Sequence, residues 1–183
     1  MDDLRTFFRH PHSAIISDLP RCDFVPAEAL PQPFRELLVH HGHMTAKVEA
    51  YYGERVGVRV IDFTNENGLY TRISSLYRLG RAESIQFNVA QVALRHFNEV
   101  SVAEILRGER PLGRILADYV THRQVQARNY LRVVPSDAMM TCFGVESMKS
   151  TYGRLATISC SGNAAVWVLE VMSPWQEIGR AHV

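Results

Sequence analysis

The segment Ala164–Met172 constrains this chain most. It reads Ala-Ala-Val-Trp-Val-Leu-Glu-Val-Met and is apolar except for Glu170. At period two, Val166, Val168 and Glu170 share one face and Trp167, Leu169 and Val171 the other. The segment Leu155–Cys160 precedes it, and Ser161-Gly162-Asn163 lies between them as a turn, so the two runs read as a hairpin. Burying a carboxylate in such a run is costly unless it is paired. Burial would also raise its pKa, which suits a group that holds or moves a proton. The strand pattern alone leaves open whether Glu170 is buried or lies at a wet strand end.

Other strand signals cluster with this one. Val56, Val58 and Val60 alternate with Gly57, Arg59 and Ile61. Asn65-Glu66-Asn67-Gly68 then predicts a hairpin with a loop somewhat longer than the tightest kind, returning through Leu69–Tyr77. Ile85, Phe87 and Val89 alternate with Ser84, Gln86 and Asn88, and 124–134 alternates weakly. Between the strand groups the pattern turns helical. A helical stretch is expected from Phe34 to His41, stopped by Gly42, and a short one over Val92–Phe97. Ser101-Val102-Ala103-Glu104 matches a capping box ahead of Ile105-Leu106, with a stop at Gly108. Pro111 opens a further helix, Leu112–Tyr119. Strands at both ends with helices between them favour an α+β fold built on an antiparallel sheet.

The chain of 183 residues fits one domain, expected over 1–175, with 1–30 as an irregular, proline-containing arm. Residues 176–183 are set aside as a non-native tail, because Glu177–Val183 reads like an in-frame translation of a sequencing adapter. A formal charge of +1 gives no global field for nucleic acid or membrane, so an anionic substrate would be held by local charges. Three widely spaced cysteines, Cys22, Cys142 and Cys160, form no C-x-x-C pair and suit a reducing cytoplasm. The N-terminus lacks the apolar stretch of a signal peptide, and no run is long enough to span a bilayer.

Arg72 is the second candidate for chemistry. It shares a strand face with Tyr70, Ser74 and Leu76. If that face is inward, its guanidinium needs an anion, and a planar carboxylate is the natural bidentate partner. A surface position on a half-exposed strand is the other reading. His40, His41 and His43 cluster without the spacing of a zinc site. Gly108–Gly113 leads into a helix N-terminus, which favours anions, but matches no phosphate-loop, dinucleotide or serine-hydrolase pattern.

Four pieces then occur in order: His43-Met44-Thr45-x-x-x-Glu49, Tyr70-x-Arg72, Arg110-Pro111-Leu112-Gly113-Arg114-Ile115-Leu116, and Tyr152-Gly153-Arg154 with a hairpin ending at Glu170 before Pro174. Over residues 34–175 the chain resembles the chorismate pyruvate-lyase family. The resemblance implies an antiparallel sheet flanked by helices, with a ligand enclosed under helical flaps. It implies pocket residues Met44, Arg72, Leu112 and Glu170. It also implies elimination of pyruvate from chorismate to give 4-hydroxybenzoate, a step of ubiquinone biosynthesis. In that reading Arg72 grips the ring carboxylate and Glu170 faces the ring hydroxyl. Met44 and Leu112 cover the ring, while Arg154, with Arg114 behind it, meets the pyruvyl carboxylate. No metal or organic cofactor is required, no nucleic acid or membrane partner is expected, and the expected state is a monomer or weak dimer. Two alternatives stay open: a related lyase making 3-hydroxybenzoate, and a non-catalytic sensor of aromatic acids. The lyase fold is similar to the effector domain of a class of bacterial transcription regulators, although the first 30 residues are too few for the winged helix those carry upstream.

Overall fold

The computed structural model describes residues 4–11, 13–17 and 19–174. The tail set aside above lies outside them. The architecture is α+β, as expected. A seven-stranded antiparallel sheet runs in the order β1-β5-β6-β7-β4-β3-β2. Its strands are β1 (Arg21–Val25), β2 (Val56–Glu66), β3 (Leu69–Arg78), β4 (Ser84–Ala93), β5 (Arg123–Val134), β6 (Thr151–Cys160) and β7 (Asn163–Met172). Two meanders, β2-β3-β4 and β5-β6-β7, join where β4 pairs antiparallel with β7, so the final strand is central. That position explains why β7 is apolar on both faces.

Among the described residues six α-helices accompany the sheet: α1 (Ala14–Ser17), α2 (Phe34–Leu38), α3 (Met44–Tyr52), α4 (Glu99–Arg107), α5 (Leu112–Tyr119) and α6 (Asp137–Phe143). One sheet face carries Phe87, Val89, Leu155, Trp167, Leu169 and Val171. Ile15 and Ile16 of α1, and Met139 and Phe143 of α6, cover it. The opposite face carries two separate apolar clusters. One gathers Ile105, Ile115 and Leu116 of α4 and α5 against Val92, Val166 and Ile158. The other gathers Leu37, Leu38, Met44 and Val48 of α2 and α3 against Val56, Leu76 and Met172. The alternation read for β7 holds: Trp167, Leu169 and Val171 enter the first core, and Val166 and Val168 lie on the other face.

Several expectations are corrected. Residues 1–30 are not irregular throughout. The segment Arg21–Val25 pairs with β5 in the register Arg21↔Val134 to Val25↔Tyr130, and Leu4, Phe8, Ile15 and Ile16 seal the first core. Five residues bounded by Pro20 and Pro26 carry too little alternation to read as a strand, and its pairing comes entirely from β5. The hairpin at Asn67-Gly68 is the tightest kind. Glu66 pairs with Leu69, and both turn residues have positive φ (53° and 77°), as a mirror-image turn requires. Val92 and Ala93 continue β4 rather than open a helix, because tertiary burial overrides the local pattern. The capping box fails as well. The N-cap of α4 is Asn98, whose side chain accepts the Ser101 N–H at 2.8 Å, so Ser101 is the third helical residue. Finally, α2 ends at Leu38 rather than at His41, and a separate helix, α3, begins after His43 and closes at Gly53 in the left-handed region.

Candidate functional site

Between the two clusters on the second face the sheet is not covered by apolar packing, and a cavity remains. Its empty volume is about 550 Å³ with its mouth included. The floor is a two-residue repeat across four strands: Arg72, Ser74 and Leu76 from β3, Gln86, Asn88 and Ala90 from β4, Val168 and Glu170 from β7, and Arg154, Ala156 and Ile158 from β6. The roof is made by the starts of two helices, His43-Met44-Thr45 before and in α3 and Leu112-Gly113 in α5. Neither helix start has a capping side chain, so no side chain takes its first N–H groups. A positive dipole end from each helix therefore meets the chamber.

The two helix starts touch. A Cβ on Gly113 would sit 2.8 Å from Thr45 Oγ1 and 3.2 Å from Thr45 Cβ, so this contact requires a residue without a side chain. Behind it, the Arg114 guanidinium donates to the Glu49 carboxylate, which also accepts the Val56 N–H at 3.0 Å. Arg114 thus ties α5 to α3 and is not among the residues lining the chamber. The Glu49 and Arg114 of the sequence motifs hold the roof together.

Two arginines face this chamber in opposite states. Arg154 is fully buried and uses four of its five N–H donors. Its Nε donates to Glu170 Oε2 at 2.6 Å, Nη1 to the carbonyls of Leu38 (3.2 Å) and His40 (3.0 Å), and Nη2 to that of Gly42 (3.2 Å). Arg154 and Glu170 are directly paired across β6 and β7. The strands approach so closely there that a Cβ on neighbouring Gly153 would lie 2.6 Å from the Glu170 carbonyl. Glycine before arginine in Tyr152-Gly153-Arg154 is therefore a packing requirement. Arg72 is only 2% exposed, yet its Nε and Nη1 have no hydrogen-bond partner. Burial pulls its pKa down, and the side chain of Tyr70 works against that shift. A guanidinium stays charged in a protein, so a buried cation with two idle donors faces an enclosed space.

The face reading for Arg72 is met: Arg72, Ser74 and Leu76 all line the chamber. Met44, Leu112, Glu170 and Arg154 line it too, so the five expected binding residues converge on one cavity. Glu170 is 8% exposed, which resolves its strand-end ambiguity in favour of burial. The sequence reading missed Ser74, Gln86 and Asn88 as site residues. The signal for Gln86 and Asn88 was the polar half of the β4 alternation, normally a solvent face; here it points into the chamber, as Ser74 of β3 does.

Of the histidine cluster, His43 lines the chamber. His40 Nδ1 accepts the Gly42 N–H at 3.1 Å, and His43 Nε2 accepts from Arg123 Nε at 3.0 Å. Burial, followed by the neighbouring Arg154 for His40 and Arg123 for His43, lowers both pKa values from 6.5 to about 4. A histidine held neutral when folded loses protons that the unfolded chain would keep, so folding stability is full above about pH 6.5 and is lost as pH falls towards 4. Both rings are partly exposed. The expected combined loss, discounted for solvent screening, is on the order of 2–4 kcal/mol. Urea unfolding at pH 7 and pH 4.5, repeated on a His40→Asn, His43→Asn double variant, measures it. The variant is expected to show a flatter profile. Among the described residues no group of histidine, cysteine and acidic side chains is arranged to hold a metal.

An antiparallel sheet with a chamber roofed by two helix starts defines the chorismate lyase-like fold class, as the sequence resemblance implied. No family model matches the chain, and no curated protein matches it. Solved structures do. The effector domain of PhnF from Mycobacterium smegmatis superposes with a TM-score of 0.54 at 9% identity, over 73% of this chain and 89% of that one. The longer PhnF structure from the same organism gives a TM-score of 0.54 at 9% identity, over 74% of this chain and 65% of that one. At this identity the likeness establishes the fold alone. No described helix is long and apolar enough to cross a membrane.

Proposed function

We propose that this chain is a ligand-binding domain that encloses a small organic acid and does not transform it. One observation carries the reading: Arg72, buried and with two unpartnered nitrogens, faces a chamber roofed by two uncapped helix starts. Such a site holds a carboxylate in bidentate fashion on Arg72, with first-turn N–H groups as further donors. Met44 and Leu112 close over the apolar body of the ligand. Glu170 accepts from a polar group of the ligand while Arg154 holds it in place. The likeness to a PhnF effector domain supports a sensing role over a catalytic one.

A second reading is favoured by Arg72 and Glu170 lining one cavity: elimination of pyruvate from chorismate, with Arg72 on the ring carboxylate and Glu170 near the ring hydroxyl. Chorismate is a dianion, and Arg154, its expected second anchor, already spends four of its five N–H donors on Glu170 and three carbonyls, leaving no bidentate fork for a second carboxylate. That counts against turnover. Incubating the protein with chorismate and assaying pyruvate and aromatic products separates the readings. Binding of hydroxybenzoates without pyruvate release is expected. Pyruvate release that disappears in Arg72→Ala and Glu170→Gln would overturn the sensor reading, and the product isomer would then identify the lyase.

A further inference from the structure

The chamber contains a group that an anion anchored on Arg72 leaves unused. Gln86 is fully buried, lines the chamber, and has neither its Nε2 nor its Oε1 hydrogen-bonded. By contrast, Ser84 in the same strand donates to Ser75 Oγ at 2.9 Å. A buried primary amide with an idle donor and an idle acceptor is expensive to keep, because each lost partner costs the desolvation of that group. An apolar residue of the same size would fill the position without that cost. Register sets its distance from Arg72. Arg72 pairs with Ala90 and Leu76 with Gln86, so the two lie four strand residues apart, about 13 Å along the strands. Both side chains point to one face, so they address opposite ends of a ligand lying along β3 and β4.

Charge narrows the class further. The charged side chains lining the chamber are Arg72, Arg154 and Glu170. Arg154 and Glu170 cancel in their ion pair, leaving one positive charge, on Arg72. His43, which also lines the chamber, is neutral near pH 7. One carboxylate balances the site; a second would be buried without a counter-charge.

We propose that Gln86 is the specificity-determining residue of this pocket, and that the ligand is a singly charged acid whose far end carries a neutral edge that both donates and accepts hydrogen bonds, such as a carboxamide. The inference rests on the reading of Arg72 as the carboxylate anchor. A planar amide edge meets the Gln86 amide in a two-point pairing, donor to acceptor and acceptor to donor. An isosteric hydrocarbon end would bury that amide unpaired, and this is how sites built for a hydrogen-bonding group reject the analogue lacking it.

The test is calorimetric binding of three probes, para-carbamoylbenzoate, para-isopropylbenzoate and terephthalate, to the wild-type chain, to Gln86→Met and to Arg72→Met. The wild type is expected to prefer the carbamoyl acid over the isopropyl acid by at least about tenfold and to reject the terephthalate dianion. Gln86→Met should bind the isopropyl acid as well as or better than the carbamoyl acid. It should also melt higher than wild type, which shows that it has folded. Arg72→Met should bind neither. An unchanged preference in Gln86→Met overturns the role of Gln86 while leaving the acid-binding reading intact. Undiminished binding in Arg72→Met, or no binding of any probe by the wild type, overturns both. Tighter binding of terephthalate than of the carbamoyl acid overturns the single-charge assignment.

Discussion

Replacing Arg154 by methionine is expected to destabilise the fold by about 3–5 kcal/mol. The substitution leaves the Glu170 carboxylate buried beside an apolar side chain and orphans three carbonyls, of Leu38, His40 and Gly42. The Glu170 carboxylate and the Leu38 carbonyl are the costly ones, because both are buried. Equilibrium urea unfolding measures the loss. Pairing the change with Glu170→Leu should recover part of it, since a buried pair replaced by two apolar residues no longer strands a charge. A loss below about 1 kcal/mol in the single variant would show that Arg154 is not the structural tie described.

Arg72→Met is expected to do the opposite. Acid binding should weaken by at least about a hundredfold, since bidentate charge-assisted hydrogen bonds are the strong ones. Stability without ligand should rise by about 1–3 kcal/mol, because the wild type keeps a desolvated cation with two idle nitrogens. The two arginines are both buried and both face the chamber, and only their partners differ. A melting temperature that rises while affinity collapses marks a residue retained for its ligand. A fall in both would mean that Arg72 is part of the framework. Calorimetry and thermal melts on one preparation decide between them.

The central hairpin and the face assignments of Arg72 and Glu170 were legible in the sequence because β3 and β7 are long and their period is clear. The same alternation in β4 carried the position of Gln86 but not its meaning. A polar stripe normally marks solvent, and only a roof contributed by α3 and α5 turns it inward. The roof itself was half legible. Pro111 and Leu112 announced α5, whereas α3 has no capping side chain and follows a histidine-rich stretch that resembles an ending rather than a start. Edge strand β1 was silent, since its partner lies about a hundred residues away, as the pairing of Cys22 with Val133 illustrates. Arg154 lines the chamber with the other expected residues, and what no pattern could supply was its set of acceptors. Three of these are main-chain oxygens at the end of α2 and in the link to α3, which carry no side-chain signature.

That acceptor set has a mechanical consequence. One guanidinium is shared between a carboxylate on the chamber floor and the main chain that leads from α2 into α3, the helix whose first turn roofs the chamber. Any guest that pulls on the carboxylate therefore loads this connector as well. Displacing the connector from outside must likewise weaken the hold on the guest, because coupling between two positions is reciprocal. On the proposed reading, occupancy inside would be felt at the surface, along residues 39–42, without any strand having to move.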